Sequence, residues 1–214
     1  MLTAKIVLLL FIAVSLMHLY AAFFQREKLR KITKGFLLPL LLVLYILRAE
    51  HVLPAVIFAA VFGWIGDILL IRIDKPYHFP LGLASFLLGH VCYILTMFIV
   101  TKSFHVPAFI VSFAAAVPLW FGVLKFIKAP ENMRIPTSVY AAVIELMSLA
   151  ALQLMIYRMD PAGILIFAGS ILFIMSDSIL AYFTFRTLPK YGNFWIMLFY
   201  IAAQSCILLG LSQY

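Results

Sequence analysis

Eight runs of mostly apolar residues divide this chain, most of them close to 20 residues long. A run of that length is what one α-helix needs to cross the hydrocarbon core of a bilayer, and the chain offers it repeatedly. Hydrophobic residues make up 66% of the 214 and charged residues 11%, against about 25% charged in a soluble domain. The expectation is an all-α membrane protein of one domain over residues 1–214, with eight transmembrane helices enclosing a polar intramembrane cavity. The spans are expected near residues 3–24, 33–47, 52–71, 79–100, 105–124, 136–157, 162–185 and 194–211. The second is short: it crosses where the bilayer thins, with Lys34 and Arg48 snorkelling to the interfaces, or the count falls to seven.

Basic residues in short loops are retained on the cytoplasmic side. Arg26, Lys28, Arg30, Lys31, Lys34, Arg72, Lys75, Lys125, Lys128, Arg134, Arg186 and Lys190 all flank odd-numbered connections, which is twelve of the sixteen. Both termini are therefore expected outside and loops one, three, five and seven inside. The net charge of +8 follows from this asymmetry and points to anionic lipid headgroups; no further feature supports nucleic acid as a partner. The first run is longer than the apolar part of a signal peptide and leads into a basic stretch, so it reads as a retained helix. Cys92 and Cys206 both fall inside spans, where a thiol serves as a small apolar filler, and no disulfide framework is implied.

Against this background two carboxylates stand out. Asp67 lies in Gly66-Asp67-Ile68-Leu69-Leu70 and Asp177 in Ser176-Asp177-Ser178-Ile179-Leu180, inside the third and seventh spans. An acid at bilayer depth costs a few kcal/mol even on lenient insertion scales, so it faces a partner or a watery cavity. Asp67 stands five residues from Arg72, Asp177 nine from Arg186, Glu145 nine beyond Pro136 and His90 ten beyond Pro80. With Gln204 in the last span, this gives five polar groups on five helices at similar depth, which points to one shared cavity.

Helical spacing adds company to each. Gly63 and Gly66 share the face of Asp67; Gly82, Phe86, His90, Tyr93 and Met97 form a stripe; Ser170, Phe173, Asp177 and Thr184 form another; Tyr200 pairs with Gln204. Plainer readings stand beside these. His90 alone is equally a core histidine bonded to a carbonyl, Gln204 is interhelical glue, Glu145 belongs to a wet network with Ser138 and Ser148, and the tyrosines are packing or interfacial belt.

Zinc needs three or four His, Cys or carboxylate ligands, but His18, His51, His78 and His105 sit near span ends or in loops. No metal is expected, and no other cofactor. No Gly-x-Ser-x-Gly elbow is present, and Ser176 and Ser178 lack an activating histidine. Acid–base chemistry remains: two carboxyl groups in a low-dielectric cavity tend to divide into a neutral proton donor and an ionised base. Asp67 and Asp177, each near the end of a helix four apart from the other, also hint at two four-helix halves.

At these residues the chain resembles the YhhN-type integral membrane family, whose characterised members are lysoplasmalogenases. The resemblance rests on Lys34 with the Leu38-Pro39-Leu40-Leu41 stretch, residues 66–70, Gly82 to His90 with Tyr93, Pro136 with Tyr140, Gly169 with Phe173 and Ser176-Asp177-Ser178, and Tyr200 with Gln204. It covers most of the chain, each motif in its own helix. The chain departs from the family at Lys34-Gly35, where Lys-Pro is usual, and Glu145 is not a position of the family pattern.

The resemblance implies an eight-helix hydrolase that cleaves the vinyl ether of a lysoplasmalogen to a fatty aldehyde and a glycerophospho-ethanolamine or -choline. On that expectation Asp67 and Asp177 are the catalytic pair. His90, Tyr93, Tyr140, Ser176, Tyr200 and Gln204 bind or orient substrate and water, Lys34 meets the phosphate, and Glu145 is a further candidate. The partners implied are a lysophospholipid with a vinyl ether chain and membrane lipids, in a bacterial inner membrane. The competing expectations are a proton-coupled transporter of a small or lipidic solute, in which the acids are relays, and a metal-dependent lipid hydrolase that chelators would inhibit.

Overall fold

A computed structural model describes residues 2–72 and 77–214; Lys75, counted above among the basic loop residues, lies outside them. Among the described residues there are eight helices and no strand: α1 (Leu2–Phe23), α2 (Glu27–Arg48), α3 (Pro54–Leu70), α4 (His78–Thr101), α5 (Val106–Ile127), α6 (Glu131–Arg158), α7 (Pro161–Thr184) and α8 (Gly192–Leu211). Six of them, all but α2 and α3, are long and apolar enough to cross a membrane. Their outward faces carry exposed Leu, Ile, Val and Phe from end to end, as in Leu9, Leu16, Ile99, Ile110, Val111 and Ile164. A surface of that kind is stable against hydrocarbon rather than water, and the chain is built as a multi-pass membrane protein.

The two exceptions have simple causes. Helix α2 starts six residues before the expected span, because the intervening stretch contains no breaker and is rich in Glu, Lys and Arg, all good helix formers. Glu27 sits in its first turn and receives two hydrogen bonds from Arg30, at 3.2 and 2.8 Å, one turn on. The added turns bring charge that lowers its hydropathy. Helix α3 is held to 17 residues, roughly 25 Å, by Pro54 in its first turn and the turn at Ile71. Three other helices stop at a residue in the left-handed region, Lys102, Lys128 and Met159, where glycine is the usual occupant and the sequence gives little warning.

Neighbour contacts define the architecture. Helices α2, α3, α4, α6, α7 and α8 form a closed ring in that order, since α8 packs on α2. Helix α1 lies outside the ring against α2 and α8, and α5 lies outside it against α6 and α7. The odd-numbered connections gather at one end. Gln25 Nε2 donates to the Lys190 carbonyl at 3.1 Å, Phe79 meets Phe185 edge-on, and Arg186 reaches the Phe126 carbonyl at 3.4 Å. The even-numbered connections lie opposite, where His105 N donates to Gln153 Oε1 and Tyr45 Oη accepts from Leu53 N.

Two seams of the ring depend on small residues. Between α3 and α4, a Cβ on Gly66 would lie 2.7 Å from the Phe86 ring, and one on Gly89 would lie 3.1 Å from the Ala59 carbonyl oxygen. Between α7 and α8, a Cβ on Gly169 would stand 2.9 Å from the Ala203 carbonyl oxygen and from Cys206 Cβ. Both seams carry an aspartate.

Candidate active site

Each of the six ring helices contributes one polar side chain to a linked inner set: Lys34 from α2, Asp67 from α3, His90 from α4, Tyr140 from α6, Asp177 from α7 and Tyr200 from α8. The set divides into two branches, one for each acid.

The first branch is closed and charged. Asp67 is 1% exposed; its Oδ1 lies 3.3 Å from Lys34 Nζ, and its Oδ2 accepts from Tyr200 Oη at 2.7 Å. A buried carboxylate is tolerable only with such partners, and Lys34 stands as its counter-ion. Tyr200 is in turn fixed by Phe86 and Phe173, whose rings meet it nearly at right angles, at 86° and 83°. Phe86 reaches this position because Gly66, one residue before the acid, has no side chain to exclude it.

The second branch is uncharged at its far end. Tyr140 Oη donates to Asp177 Oδ2, and His90 Nε2 lies 3.0 Å from the same hydroxyl. With the tyrosine proton directed at the acid, His90 is assigned the Nε2–H tautomer and donates to Tyr140. His90 Nδ1 is buried and has no hydrogen-bond partner, while the Phe173 ring packs edge-on against the imidazole at 4.7 Å. Among the described residues no Lys, Arg or His forms an ion pair with Asp177. This acid is half-buried, more open than Asp67.

Both acids line one cavity of about 390 Å³, together with Lys34, Ser176 and Tyr200. Arg30, Thr184 and Asn193 bring polar groups to its wall toward the basic end. From Asp177 a second, apolar slot of about 40 Å³ leads between α4, α5, α6 and α7, past Leu83, Ile144 and Ile174. Asp177, Phe79, Phe86 and Leu180 belong to both spaces, so the acid stands at the junction of a polar compartment and an apolar one.

Of the other expected residues, Lys34 and Ser176 line this cavity too, and Tyr93, Gln204 and Glu145 do not. Tyr93 and Gln204 join each other, Oη to Oε1 at 2.8 Å, in a buried layer that does not line the main cavity. Ser176 Oγ donates to the Ile196 carbonyl at 3.1 Å and ties α7 to α8. Glu145 points away from the ring interior to the space beneath α5. Lys34 is engaged with Asp67, and the other cation at the cavity wall is Arg30, one helical turn before it and paired with Glu27. The spacing of Arg30 and Lys34 at i and i+4 was the available signal, hidden by starting the second span at residue 33. Among the described residues no three His, Cys, Asp or Glu side chains cluster as metal ligands would.

One comparison with known sequences finds a match. Neither the curated proteins nor the solved structures contain a match to this chain. The family model described as YhhN family matches residues 29–211, which takes in all six polar residues of the ring and both cavities. The chain therefore belongs to the YhhN family.

Proposed function

We propose that the protein is a lysoplasmalogenase, hydrolysing a vinyl ether lipid inside the membrane by carboxyl acid–base catalysis. The observation that carries this reading is the position of Asp177 at the junction of the polar cavity and the apolar slot, with the Lys34-paired Asp67 in the same cavity. A single-chain ether lipid divides in the same way. Its glycerophosphate occupies the polar compartment with the phosphate toward Arg30, its alkenyl chain enters the slot, and the ether linkage lies between them beside Asp177.

Asp177, in its protonated form, gives its proton to the outer alkene carbon, and the π electrons leave an oxocarbenium ion at the ether carbon. Asp67, ionised beside Lys34, stabilises that cation and takes a proton from the attacking water. The hemiacetal then collapses: its hydroxyl gives its proton to the Asp177 carboxylate, the carbonyl forms, and the glycerol oxygen leaves with the proton held by Asp67. Tyr140 Oη donates to Asp177 once the proton has left, so the carboxylate formed by the transfer keeps a hydrogen-bond partner. Within this reading α2 and α3 cross the membrane with the other six, their buried charges neutralised in the Lys34–Asp67 pair. The basic end faces the cytoplasm of a bacterial inner membrane, and a C-terminal reporter active only in the cytoplasm should stay silent.

The decisive assay is release of fatty aldehyde from lysoplasmenylethanolamine by the purified protein in detergent, with and without a chelator. Asp177→Asn and Asp67→Asn should each lower turnover by about 10²- to 10⁴-fold, the range expected for loss of a general acid or base. Chelation should change nothing. Near-normal rates in both variants would sink the assignment, and absence of aldehyde from a well-folded parent would remove the activity itself.

A further inference from the structure

Glu145 is 6% exposed, and its Oε1 has no hydrogen-bond partner among the described residues. Among the described residues no cation forms an ion pair with it. Leaving a buried polar atom unsatisfied is costly, so a side chain retained in this state is matched to a group that arrives from outside.

Three spaces meet at this side chain. The first is the slot from Asp177, which reaches Glu145 past Tyr140 and Ile144 on α6 and Ile174 on α7. The second is a crevice of about 450 Å³ beneath α5, between it and α6 and α7, lined on α5 by Ala108, Ser112, Ala115 and Ala116. The third, of about 260 Å³, opens between α5 and α6 beside Trp120. The alanines explain the volume, because small side chains on α5 stop short of its neighbours. Apart from Glu145, Ser112 and Ser148, the crevice walls are hydrocarbon. The hydroxyl of Ser112 is already committed to the carbonyl of Ala108 at 2.6 Å, and that of Ser148 accepts from Ser170 Oγ at 3.0 Å.

A ligand fitted to this place is a long aliphatic chain ending in one small hydrogen-bonding group. The lysoplasmalogenase reading, on which this inference rests, produces such a molecule at Asp177. The glycerophosphate half leaves through the polar cavity, while the aldehyde half has an apolar chain that the slot and crevice accept. We propose that the crevice beneath α5 is the exit site for the fatty aldehyde and that Glu145 is its binding group, donating its carboxylic acid proton in a hydrogen bond to the aldehyde oxygen. No covalent bond forms. The slot is narrow, so passage requires α5 to ease outward. Among the described residues its polar ties to other helices are few: Trp120 Nε1 to the Ser138 carbonyl at 3.0 Å, Arg186 to the Phe126 carbonyl, and the N–H of His105 at its N-cap to Gln153 Oε1.

The test uses the full chain in detergent and a C16 aldehyde carrying a diazirine on its chain, with labelled peptides mapped after irradiation. The expected result is saturable labelling of α5 and α6 around Ala116 and Glu145, competed by hexadecanal and poorly by hexadecane. Glu145→Leu should weaken saturation about tenfold and Glu145→Gln, which keeps an N–H donor, much less. Because Glu145→Leu changes a buried site, Ala116→Phe, which fills the crevice without touching the acid, serves as the second variant and should abolish the labelling. Labelling elsewhere, or unchanged saturation in Glu145→Leu and Ala116→Phe, overturns the proposal. The two readings separate cleanly. A parent that releases aldehyde from lysoplasmenylethanolamine but shows no crevice labelling refutes the exit site alone, and one that labels in the crevice without hydrolysing the lipid refutes the enzymatic reading alone.

Discussion

The wall of the bundle built by α2, α3, α7 and α8 and the wall built by α5 with the face of α6 beneath it contain the same three awkward features and treat them in opposite ways. Each has a buried acid: Asp67 is matched by Lys34 and Tyr200, whereas Glu145 has an empty Oε1. Each has a proline within a helix. Pro39 cannot donate to the Gly35 carbonyl four residues back, and Trp64 Nε1 from α3 supplies the missing bond at 2.9 Å. Pro118 leaves the Ala114 carbonyl in the same position, and no side chain among the described residues bonds to it. Each has a helical glycine: a Cβ on Gly169 would meet the backbone of α8 at 2.9 Å, whereas one on Gly122 would meet nothing within 4 Å. One wall is completed and preorganised, as a site for acid–base chemistry requires. The other is left incomplete, as a route for a lipid chain requires.

The largest test of that contrast is the buried ion pair. Lys34→Met should destabilise the protein by about 3–5 kcal/mol, because it leaves the Asp67 carboxylate buried and uncompensated. Lys34→Met with Asp67→Asn should recover a large part of that loss, read as the midpoint of detergent-phase unfolding. Equal stability of the single and double variants would show that the pair is not the group that closes this wall. Next in size is Gly169→Ala. Its Cβ meets a backbone carbonyl, which cannot rotate away, so the α7–α8 seam must open, at a cost of about 1–3 kcal/mol. A melting temperature unchanged from the parent would mean that the seam is looser than its geometry.

These features differ in how far the sequence announces them. The eight helices were legible because apolar length is a one-dimensional property, and so were Asp67 and Asp177, whose cost at bilayer depth is independent of rotation. The glycines beside Asp67 were legible as close-packing positions, and the structure places Phe86 against Gly66. What was hidden is the pairing. Spacing put Asp67, Asp177, Glu145, His90 and Gln204 near one depth, but only the rotation of each helix separates Tyr140 and Tyr200, which hold the acids, from Tyr93 and Gln204, which hold each other. The same limit placed Glu145 with the interior acids, although α6 directs it to α5. The position of α5 outside the ring has no signal in a single chain, since its apolar composition resembles that of the ring helices.

The proline contrast yields a smaller effect. Trp64→Phe keeps the aromatic bulk but removes the donor to the Gly35 carbonyl, and should cost about 1 kcal/mol, the usual net worth of one hydrogen bond. Adding Pro39→Ala restores a backbone N–H for that carbonyl, so the loss from Trp64→Phe should vanish in the Pro39→Ala background. A persistent loss would assign the role of Trp64 to packing.

The smallest effect is of opposite sign and addresses the open wall directly. Gly122 lies on α5 in a helical conformation with no neighbour within 4 Å of where a Cβ would stand. Alanine there adds no contact and relieves the conformational entropy that glycine loses on folding, so Gly122→Ala should stabilise the protein by up to about 1 kcal/mol. The same substitution at Gly169 is expected to be destabilising, and the difference in sign between two chemically identical changes isolates packing from helix propensity. If Gly122→Ala were instead destabilising, α5 would have to pack against a surface through that face, and the wall proposed to yield to a lipid chain would be closed by a partner. A gain in stability accompanied by slower aldehyde release would place the flexibility of α5 on the path of turnover.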